Sequence, residues 1–299
     1  MNFLIIGSKG FIGSHLVNFL KNESHEVYEA DVIVDYEKND NYFVIDASNA
    51  DYHSIFENNN IDVCVNCSGA ASVPDSIKQP HRDFQLNTVN VFKILDAIRH
   101  YQPDCNFINL SSAAVYGNPK SLPIHEKDDT KPISAYGYHK WMSEQICEEF
   151  HRFFNIKTCS LRIFSAYGEG LKKQLFWDLA QKALKSKEVR LFGSGGESRD
   201  FIYISDLVRA ILIIAEKAAF KGEAINVANG MEITIAHVAK TFYQFFDQSV
   251  DLDFSGESRP GDPNNWQADI THLSTLGYKP QYSIEEGLQN YVLWLKKKD

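Results

Sequence analysis

The chain opens with a short apolar run, Phe3–Ile6, then a glycine-punctuated turn and an amphipathic stretch from Phe11 to about Asn22. The same alternation recurs through the first half. Apolar runs at Glu26–Ala30, Tyr42–Ile45, Asp62–Asn66, Asn106–Leu110 and Lys157–Ile163 read as strands. Helical spacing covers a short stretch near Tyr52–Asn58, then about Phe84–Tyr101 and Ala135–Phe154. Strands alternating with helices build a parallel sheet covered on both faces. Strands buried that way are continuous apolar runs, which these are.

After about Tyr167 the alternation breaks. A helix at Leu175–Leu184, a strand at Glu188–Leu191 and a loop at Gly193–Ser198 intervene. A helix at Asp206–Lys217 and a strand at Ala224–Val227 are expected to return to the large sheet, and the remainder, from Thr234, reads as a small α/β cap. The expected fold class is therefore α/β, a doubly wound parallel sheet of the Rossmann type with a smaller C-terminal α/β substrate-binding cap. Residues 1–166 and about 200–230 are assigned to the first unit, and about 167–199 and 231–299 to the cap. Open sheets of this kind bind ligands at the carboxyl ends of their strands, so a cap over that edge closes a cleft.

Bulk properties narrow the function. The chain has 299 residues, 44% of them hydrophobic, enough for a full core. A net charge of −9 argues against a nucleic-acid or anionic-membrane surface. The start, MNFLIIGSKGFIGSHL, is interrupted by glycines and does not read as a signal peptide. No apolar run approaches the ~20 residues of a membrane helix. The five cysteines show no disulfide-framework spacing. Cys64 and Cys67 lie three apart on a predicted strand and point to opposite faces, which is poor geometry for a metal. Buried free thiols, no metal and a cytoplasmic setting are expected.

Gly7, Gly10 and Gly13 form G-x-x-G-x-x-G between the first strand and the first helix. A dinucleotide site needs a tight turn, a close approach of backbone to pyrophosphate and close helix–strand packing. Glycine serves all three, and the helix N-terminus adds partial positive charge. Asp31 ends the second strand, where an acid hydrogen-bonds the adenosine ribose. No basic residue follows it until Lys38, which favours NAD over NADP. Asp46, ending the third strand, either meets the adenine or serves turn chemistry in Asp-Ala-Ser.

Tyr136 and Lys140 form Y-x-x-x-K on one face of a predicted helix. An ammonium beside a phenol favours the phenolate, and the expectation is a Tyr136 pKa lowered from ~10 to a useful range for a base. Lys140 is equally suited to holding the nicotinamide ribose. Ser111 and Ser112 follow the fifth strand and either cap a turn or relay a proton from a sugar hydroxyl.

Taken in order, GSKGFIGSHL, NCSGAASVPDS, NLSSAAVYG, YGYHK, LRIFSAYG, SRDFIYISDL and RPGD resemble the signatures of extended short-chain dehydrogenases/reductases, in the nucleotide-sugar epimerase/dehydratase branch. The resemblance implies tightly held NAD and a catalytic Ser112, Tyr136 and Lys140. It implies further cofactor contacts at Phe11, Ile12, Ala47, Cys67, Ser68, Gly69, Asn87 and Phe164. Substrate contacts are implied at Ser72, Ser112, Ser165, Arg199, Arg259 and Asp262. Guanidinium groups grip phosphate oxygens in pairs, which suits Arg199 and Arg259 to a nucleotide diphosphate; the alternative is salt bridges with Asp200 and Asp262.

Relatives that dehydrate the sugar carry Asp-Glu after the serine, and decarboxylating relatives carry a glutamate there. This chain has Ala113 and Ala114. The stretch resembles 4-epimerases, in which tyrosine and serine take the 4-hydroxyl proton, a hydride passes to NAD, and the rotated 4-keto sugar takes it back on the other face. One departure is Ser165, where many epimerases have asparagine. A 4-ketosugar reductase with exchangeable cofactor is the alternative, and a non-catalytic NAD-binding regulator a more distant one. The resemblance also implies a homodimer through the helices near 84–101 and 135–154, although Val91, Ile94, Leu95 and Ile98 have the spacing of a core face.

Overall fold

The computed structural model describes residues 1–36, 40–47, 49–246, 249–257 and 261–297, so Lys38 and Arg259 lie outside the described residues. β1 (Asn2–Ile6) leads into α1 (Phe11–Asn22), followed by β2 (Glu26–Asp31), β3 (Tyr42–Val44), α2 (His53–Asn58) and β4 (Val63–Asn66). Two short helices, α3 (Val73–Lys78) and α4 (Pro80–Phe84), precede α5 (Asn90–Tyr101). β5 (Asn106–Ser112), the long α6 (Ala135–Phe154) and β6 (Thr158–Ile163) complete the first half. Then come β7 (Ser165–Tyr167), α7 (Gln174–Ala183), β8 (Glu188–Leu191), β9 (Ser198–Arg199), β10 (Phe201–Tyr203) and α8 (Ile204–Lys217). β11 (Lys221–Val227), β12 (Ile233–Thr234), α9 (Ile235–Phe245), β13 (Asp251–Phe254), α10 (Thr271–Thr275) and α11 (Ile284–Lys296) finish the chain.

Among the described residues a seven-stranded sheet has the order β11-β6-β5-β4-β1-β2-β3. Every pairing in it is parallel. The run from β3 to β6 is the Rossmann order, with β11 added outside β6. Side chains alternate across the sheet as strand geometry requires. Phe3, Ile5, Val63 and Val65 enter the core beneath α1 and α8, whereas Leu4, Ile6 and Cys64 enter the one beneath α2, α5 and α6. All five cysteines are free, and Val91, Ile94, Leu95 and Ile98 are core residues.

The expected single helix over 84–101 is interrupted. Gln85–Val89 forms a π turn between α4 and α5. One residue per turn is added there, a departure that recurs at functional sites. The later segments pair in two-stranded sheets: β7 with β10, β9 with β12, and β8 with β13. β7 follows the carboxyl end of β6 directly, and the strand order of the main sheet reverses between β1 and β4.

Candidate active site

The glycine turn is shaped by backbone proximity. Gly7 has φ +84, and a Cβ on it would lie 2.7 Å from Ser68 N. At Gly13 a Cβ would run into the Gly7 carbonyl group, whose carbon lies 2.9 Å away. Gly10 caps α1 with no side-chain hydrogen bond, and the first turn carries no acid. The first amides of this 12-residue helix thus face the loop without a side-chain acceptor. Phe11 and Ile12 are half-buried against the core beneath α1.

Asp31 is buried at the end of β2. Its carboxylate accepts from the backbone amides of Lys9 (2.8 Å), Val32 (2.7 Å) and Ile33 (3.2 Å). It therefore braces the glycine loop and keeps about one of its four lone-pair sites for a ribose hydroxyl. Asp46 accepts from Asn49 N at 2.8 Å, the turn chemistry considered for it, and the Ala47 carbonyl accepts from Asn90 Nδ2 at 3.0 Å.

A cation near this end of the loop escaped the sequence reading. Lys9 Nζ lies 2.6 Å from Asp35 Oδ2 and 4.8 Å from the centre of the Tyr42 ring. Lys9 stands in GSKG, more than twenty residues before Asp31, so only the fold brings it to Asp35 and Tyr42.

At the end of β4, Ser68 donates its hydroxyl to Asn66 Oδ1 at 2.5 Å. Cys67 lies at the same edge, half-buried, its thiol pushed up to about 12 by burial. A Cβ on Gly69 would lie 2.5 Å from Asn87 Oδ1 and 3.5 Å from Lys140 Nζ. Asn87 donates to the Ala70 carbonyl at 3.1 Å, while its Oδ1 is buried with no partner among the described residues. Asn87 lies within the π turn. A helix N-terminus without a side-chain cap, a bare glycine cradle, an acid at the end of β2 and an amide oxygen without a partner among the described residues are compatible with a bound dinucleotide.

The two serines of β5 separate by alternation. Ser111 is buried and donates to Glu144 Oε1 at 2.5 Å, on the structural side of the strand. Ser112 is half-buried, accepts from Ala114 N at 3.2 Å, and its hydroxyl is near enough to the Tyr136 phenol to favour the phenolate. α6 begins at Ala135 because Ser134 caps it, accepting from Gly137 N at 3.1 Å. Tyr136 N is itself held by Ser76 Oγ at 3.1 Å.

The expected lowering of the Tyr136 pKa is corrected by the structure. Burial pushes the phenol up to about 12, the neighbouring Ser112 hydroxyl works against this, and the charge of Asp83 adds to it. Lys140 is buried too, and its Nζ donates to the Leu110 carbonyl at 2.8 Å. Burial pulls this ammonium down to about 8. In the protein alone, desolvation outweighs the attraction on which the sequence expectation rested.

Behind the serines lies a buried network the sequence gave no sign of. Arg162 on β6 pairs with Glu144 at 2.8 Å and donates to the Tyr116 hydroxyl at 2.9 Å. Tyr116 in turn donates to Asn226 Oδ1 at 2.7 Å. The network anchors β5 to α6, β6 and β11. Phe164 follows β6, with its ring 5.9 Å from Trp266.

On the far side of the cleft, Arg199 Nη1 donates to the carbonyls of Ser198 (2.7 Å) and Asn264 (3.1 Å), and its guanidinium lies 5.4 Å from the Trp266 ring centre. Asp200 is not its partner. That buried carboxylate accepts from Asn229 N, Gly230 N and Ala268 N, at 2.9, 3.0 and 3.1 Å. Asp262 acts on Arg199 through charge. Ser165 N is bonded to the Asp200 carbonyl at 2.9 Å, and Ser72 Oγ caps α3 by accepting from Asp75 N at 3.2 Å. A Cβ on Gly261 would lie 2.9 Å from Val73, so Gly261 lies beside the segment carrying Ser72.

With this arrangement in view, the profile of the NAD dependent epimerase/dehydratase family matches residues 3–228. The chain belongs to that family. It is accordingly an NAD-dependent enzyme with a Rossmann fold. An uncharacterized protein of Methanocaldococcus jannaschii is 31% identical over 100% of this chain and 97% of its own length. The UDP-glucuronic acid 4-epimerase of Bacillus cereus, solved with UDP-glucuronic acid and NAD, is 29% identical over 100% of both chains, with a TM-score of 0.90. The UDP-glucose 4-epimerase of Thermotoga maritima, solved with UDP-glucose, is 29% identical over 100% of this chain and 99% of the other, with a TM-score of 0.88.

Proposed function

We propose that this chain epimerises a nucleotide-diphosphate sugar at C4 through a transient 4-keto sugar. The observation that carries the reading is the placing of Ser112, at the carboxyl end of β5, where its hydroxyl acts on the Tyr136 phenol, with Lys140 one turn further along α6 and Ala113 and Ala114 following the serine. Those alanines leave no carboxylate in place to remove water or to mark a decarboxylase. Solved 4-epimerases of the same fold at 29% identity support it.

NAD, when bound, supplies the acceptor for the C4 hydrogen and its electron pair, and a positive ring whose sign favours the Tyr136 phenolate. Tyr136 takes the proton of the 4-hydroxyl with Ser112 as the bridging donor and acceptor. Lys140 supplies a second positive charge and holds the ribose side of the pocket. Asn87 Oδ1 accepts from the bound cofactor. Arg199, with Arg259, takes the diphosphate, and Ser72, Ser165 and Asp262 border the sugar. The segments 167–199 and 231–299 form the cap over it.

The test is incubation with a panel of UDP-sugars, followed by proton NMR of the C4 epimer. Tyr136→Phe is expected to retain NAD and lose activity by about 10²–10⁴-fold. Unchanged turnover in Tyr136→Phe refutes the assignment, and a protein active only as a scaffold would show the same indifference.

One observation favours the second reading, a 4-ketosugar reductase. Lys9, whose backbone amide is bound by Asp31, brings a cation to the end of the loop at which Asp31 would meet the ribose. Mass spectrometry of the nucleotide released on denaturation separates the two: stoichiometric NAD supports the epimerase, and NADP or no nucleotide supports the reductase.

A homodimer is also proposed, through the outward faces of α5 and α6. Phe92 and Phe154 are each 44% exposed there and Phe153 is 69% exposed, in keeping with a covered apolar patch. A sedimentation profile that stays monomeric at high concentration refutes it. Five free cysteines suit a reducing, cytoplasmic setting, and among the described residues no helix is long and apolar enough to cross a membrane.

A further inference from the structure

The catalytic tyrosine is held by a residue that the roles above do not use. α6 opens with the amides of Ala135, Tyr136 and Gly137, which no earlier turn of the helix can satisfy. The Gly137 amide goes to the capping hydroxyl of Ser134 at 3.1 Å. The Tyr136 amide goes outside the helix, to Ser76 Oγ at 3.1 Å, 60 residues away in the chain. Ser76 is fully buried in α3, and it gives its own hydroxyl proton to the Val73 carbonyl at 2.7 Å. That bond orients the hydroxyl and leaves its lone pairs to accept from Tyr136.

Further contacts bracket this link. Ser72 caps α3, and its carbonyl accepts from Ser76 N at 3.0 Å. Ser72, assigned above to the sugar, and Ser76, which grips the tyrosine, are therefore one helical turn apart and bonded to each other. On the other side of α6, a Cβ on Gly137 would lie 2.5 Å from the Ala114 carbonyl oxygen, so the first turn of the helix is pressed against the segment that follows Ser112. A Cβ on Gly261 would lie 2.9 Å from Val73 and 3.5 Å from Ser134 Cβ, which sets Gly261 against both α3 and the start of α6. The Tyr136 backbone thus sits between the helix that carries Ser72 and the strand end that carries Ser112.

We infer that Ser76 is a positioning residue for the epimerisation: its hydroxyl locks the main chain of Tyr136 to α3, so that the phenol and the Ser72 wall of the pocket move as one body. Proton transfer needs donor and acceptor within hydrogen-bond reach, and a misplacement of about 1 Å costs about 10²-fold in rate. Without the Ser76 hydroxyl the Tyr136 amide has no acceptor, and the first turn of α6 relieves that by shifting towards water. The phenol shifts with it, away from a sugar still held by its other contacts. This inference rests on the reading of Tyr136 as the base given above.

The experiment compares Ser76→Ala and Ser76→Thr with the wild-type holoenzyme, using whichever of UDP-glucose, UDP-glucuronic acid and UDP-N-acetylglucosamine the wild type converts fastest to its C4 epimer. Ser76→Ala is expected to retain NAD and a KM within about threefold, while kcat falls about 10–10²-fold. In protein carrying ¹⁵N-labelled tyrosine, with the Tyr136 amide assigned through Tyr136→Phe, that amide is expected to exchange with solvent about tenfold faster in Ser76→Ala. Ser76→Thr keeps a hydroxyl able to bond the carbonyl three residues back, and is expected to recover most of kcat. A residue that only filled space would tolerate alanine better than the bulkier threonine. Wild-type kcat in Ser76→Ala where Tyr136→Phe is inactive, an unchanged Tyr136 exchange rate, or a lower kcat in Ser76→Thr than in Ser76→Ala overturns the inference. Should Ser76→Ala not fold, Ser76→Cys, whose thiol accepts only weakly, takes its place under the same criteria. Full turnover in Tyr136→Phe, or no epimer from wild-type protein with any of the three sugars, overturns instead the catalytic reading, and the inference falls with it.

Discussion

Two alanine substitutions in the glycine turn should fail in different ways. At Gly13 the new Cβ would meet backbone: it points into the Gly7 carbonyl group, with the carbonyl carbon at 2.9 Å and Ser8 Cα at 3.0 Å. Carbon–carbon contacts settle at about 3.5–4.0 Å, so α1 must retreat from β1 by roughly 0.5–1 Å. Neither neighbour is a flexible side chain that can swing aside. The expected cost is that of overpacking, about 1–3 kcal/mol, or roughly 2–6 °C in Tm for a chain of this size. At Gly10 the backbone is unstrained at φ −72, and a Cβ would find only Gly7 O, at 3.2 Å. Gly10→Ala should therefore melt within about 1 °C of wild type. Its methyl instead stands where backbone and pyrophosphate approach one another, so NAD affinity should fall about tenfold or more, ~1.4 kcal/mol. Differential scanning calorimetry of nucleotide-free protein, paired with NAD titration calorimetry, measures both. A Gly13→Ala protein with wild-type Tm, or a Gly10→Ala protein that binds NAD normally, refutes the reasoning.

Two further outcomes follow from the ion pairs. Glu144→Ala leaves Arg162 buried without its anion and should cost about 3–5 kcal/mol in urea unfolding, whereas the double change Glu144→Leu with Arg162→Met should recover much of that loss; equal losses in both would contradict the account. Asp35→Asn releases Lys9 from its 2.6 Å partner and should tighten NADP binding about tenfold while NAD changes little. Unaltered NADP affinity in a calorimetric titration would remove Lys9 from the ribose end of the site.

The main sheet was legible because each of its inner strands is an apolar run between amphipathic stretches, a pattern that survives without knowledge of neighbours. Ser112 and Tyr136 were legible as a motif, and the alternation of β5 then explains why Ser111 turns to Glu144 while Ser112 turns towards Tyr136. What the sequence withheld depends on contacts between distant segments. β9 and β12 are two residues each, too short to carry any periodicity. The π turn at Gln85–Val89 is a change of hydrogen-bond partner within a stretch that still has helical spacing. Arg162, Glu144, Tyr116 and Asn226 meet only after folding. The direction of the Tyr136 shift was misread for a related reason: residue spacing places a lysine near a phenol but does not report how much water each has lost.

The position of β11 has a consequence for synthesis on the ribosome. This strand closes the sheet against β6, from Lys221↔Thr158 to Val227↔Ile163, and more than fifty residues of chain separate the two. β6 is buried along its whole length in the finished protein. Until residue 227 has emerged, the nascent chain carries β6 as an open strand edge, with unpaired amides and carbonyls on a strongly apolar ribbon. Such an edge is a template for pairing with another chain. The intervening α7 to α8 segment thus determines how long a half-made molecule needs protection, and a premature stop after α8 would release a protein that retains its glycine loop, Tyr136 and Lys140 yet is prone to aggregate.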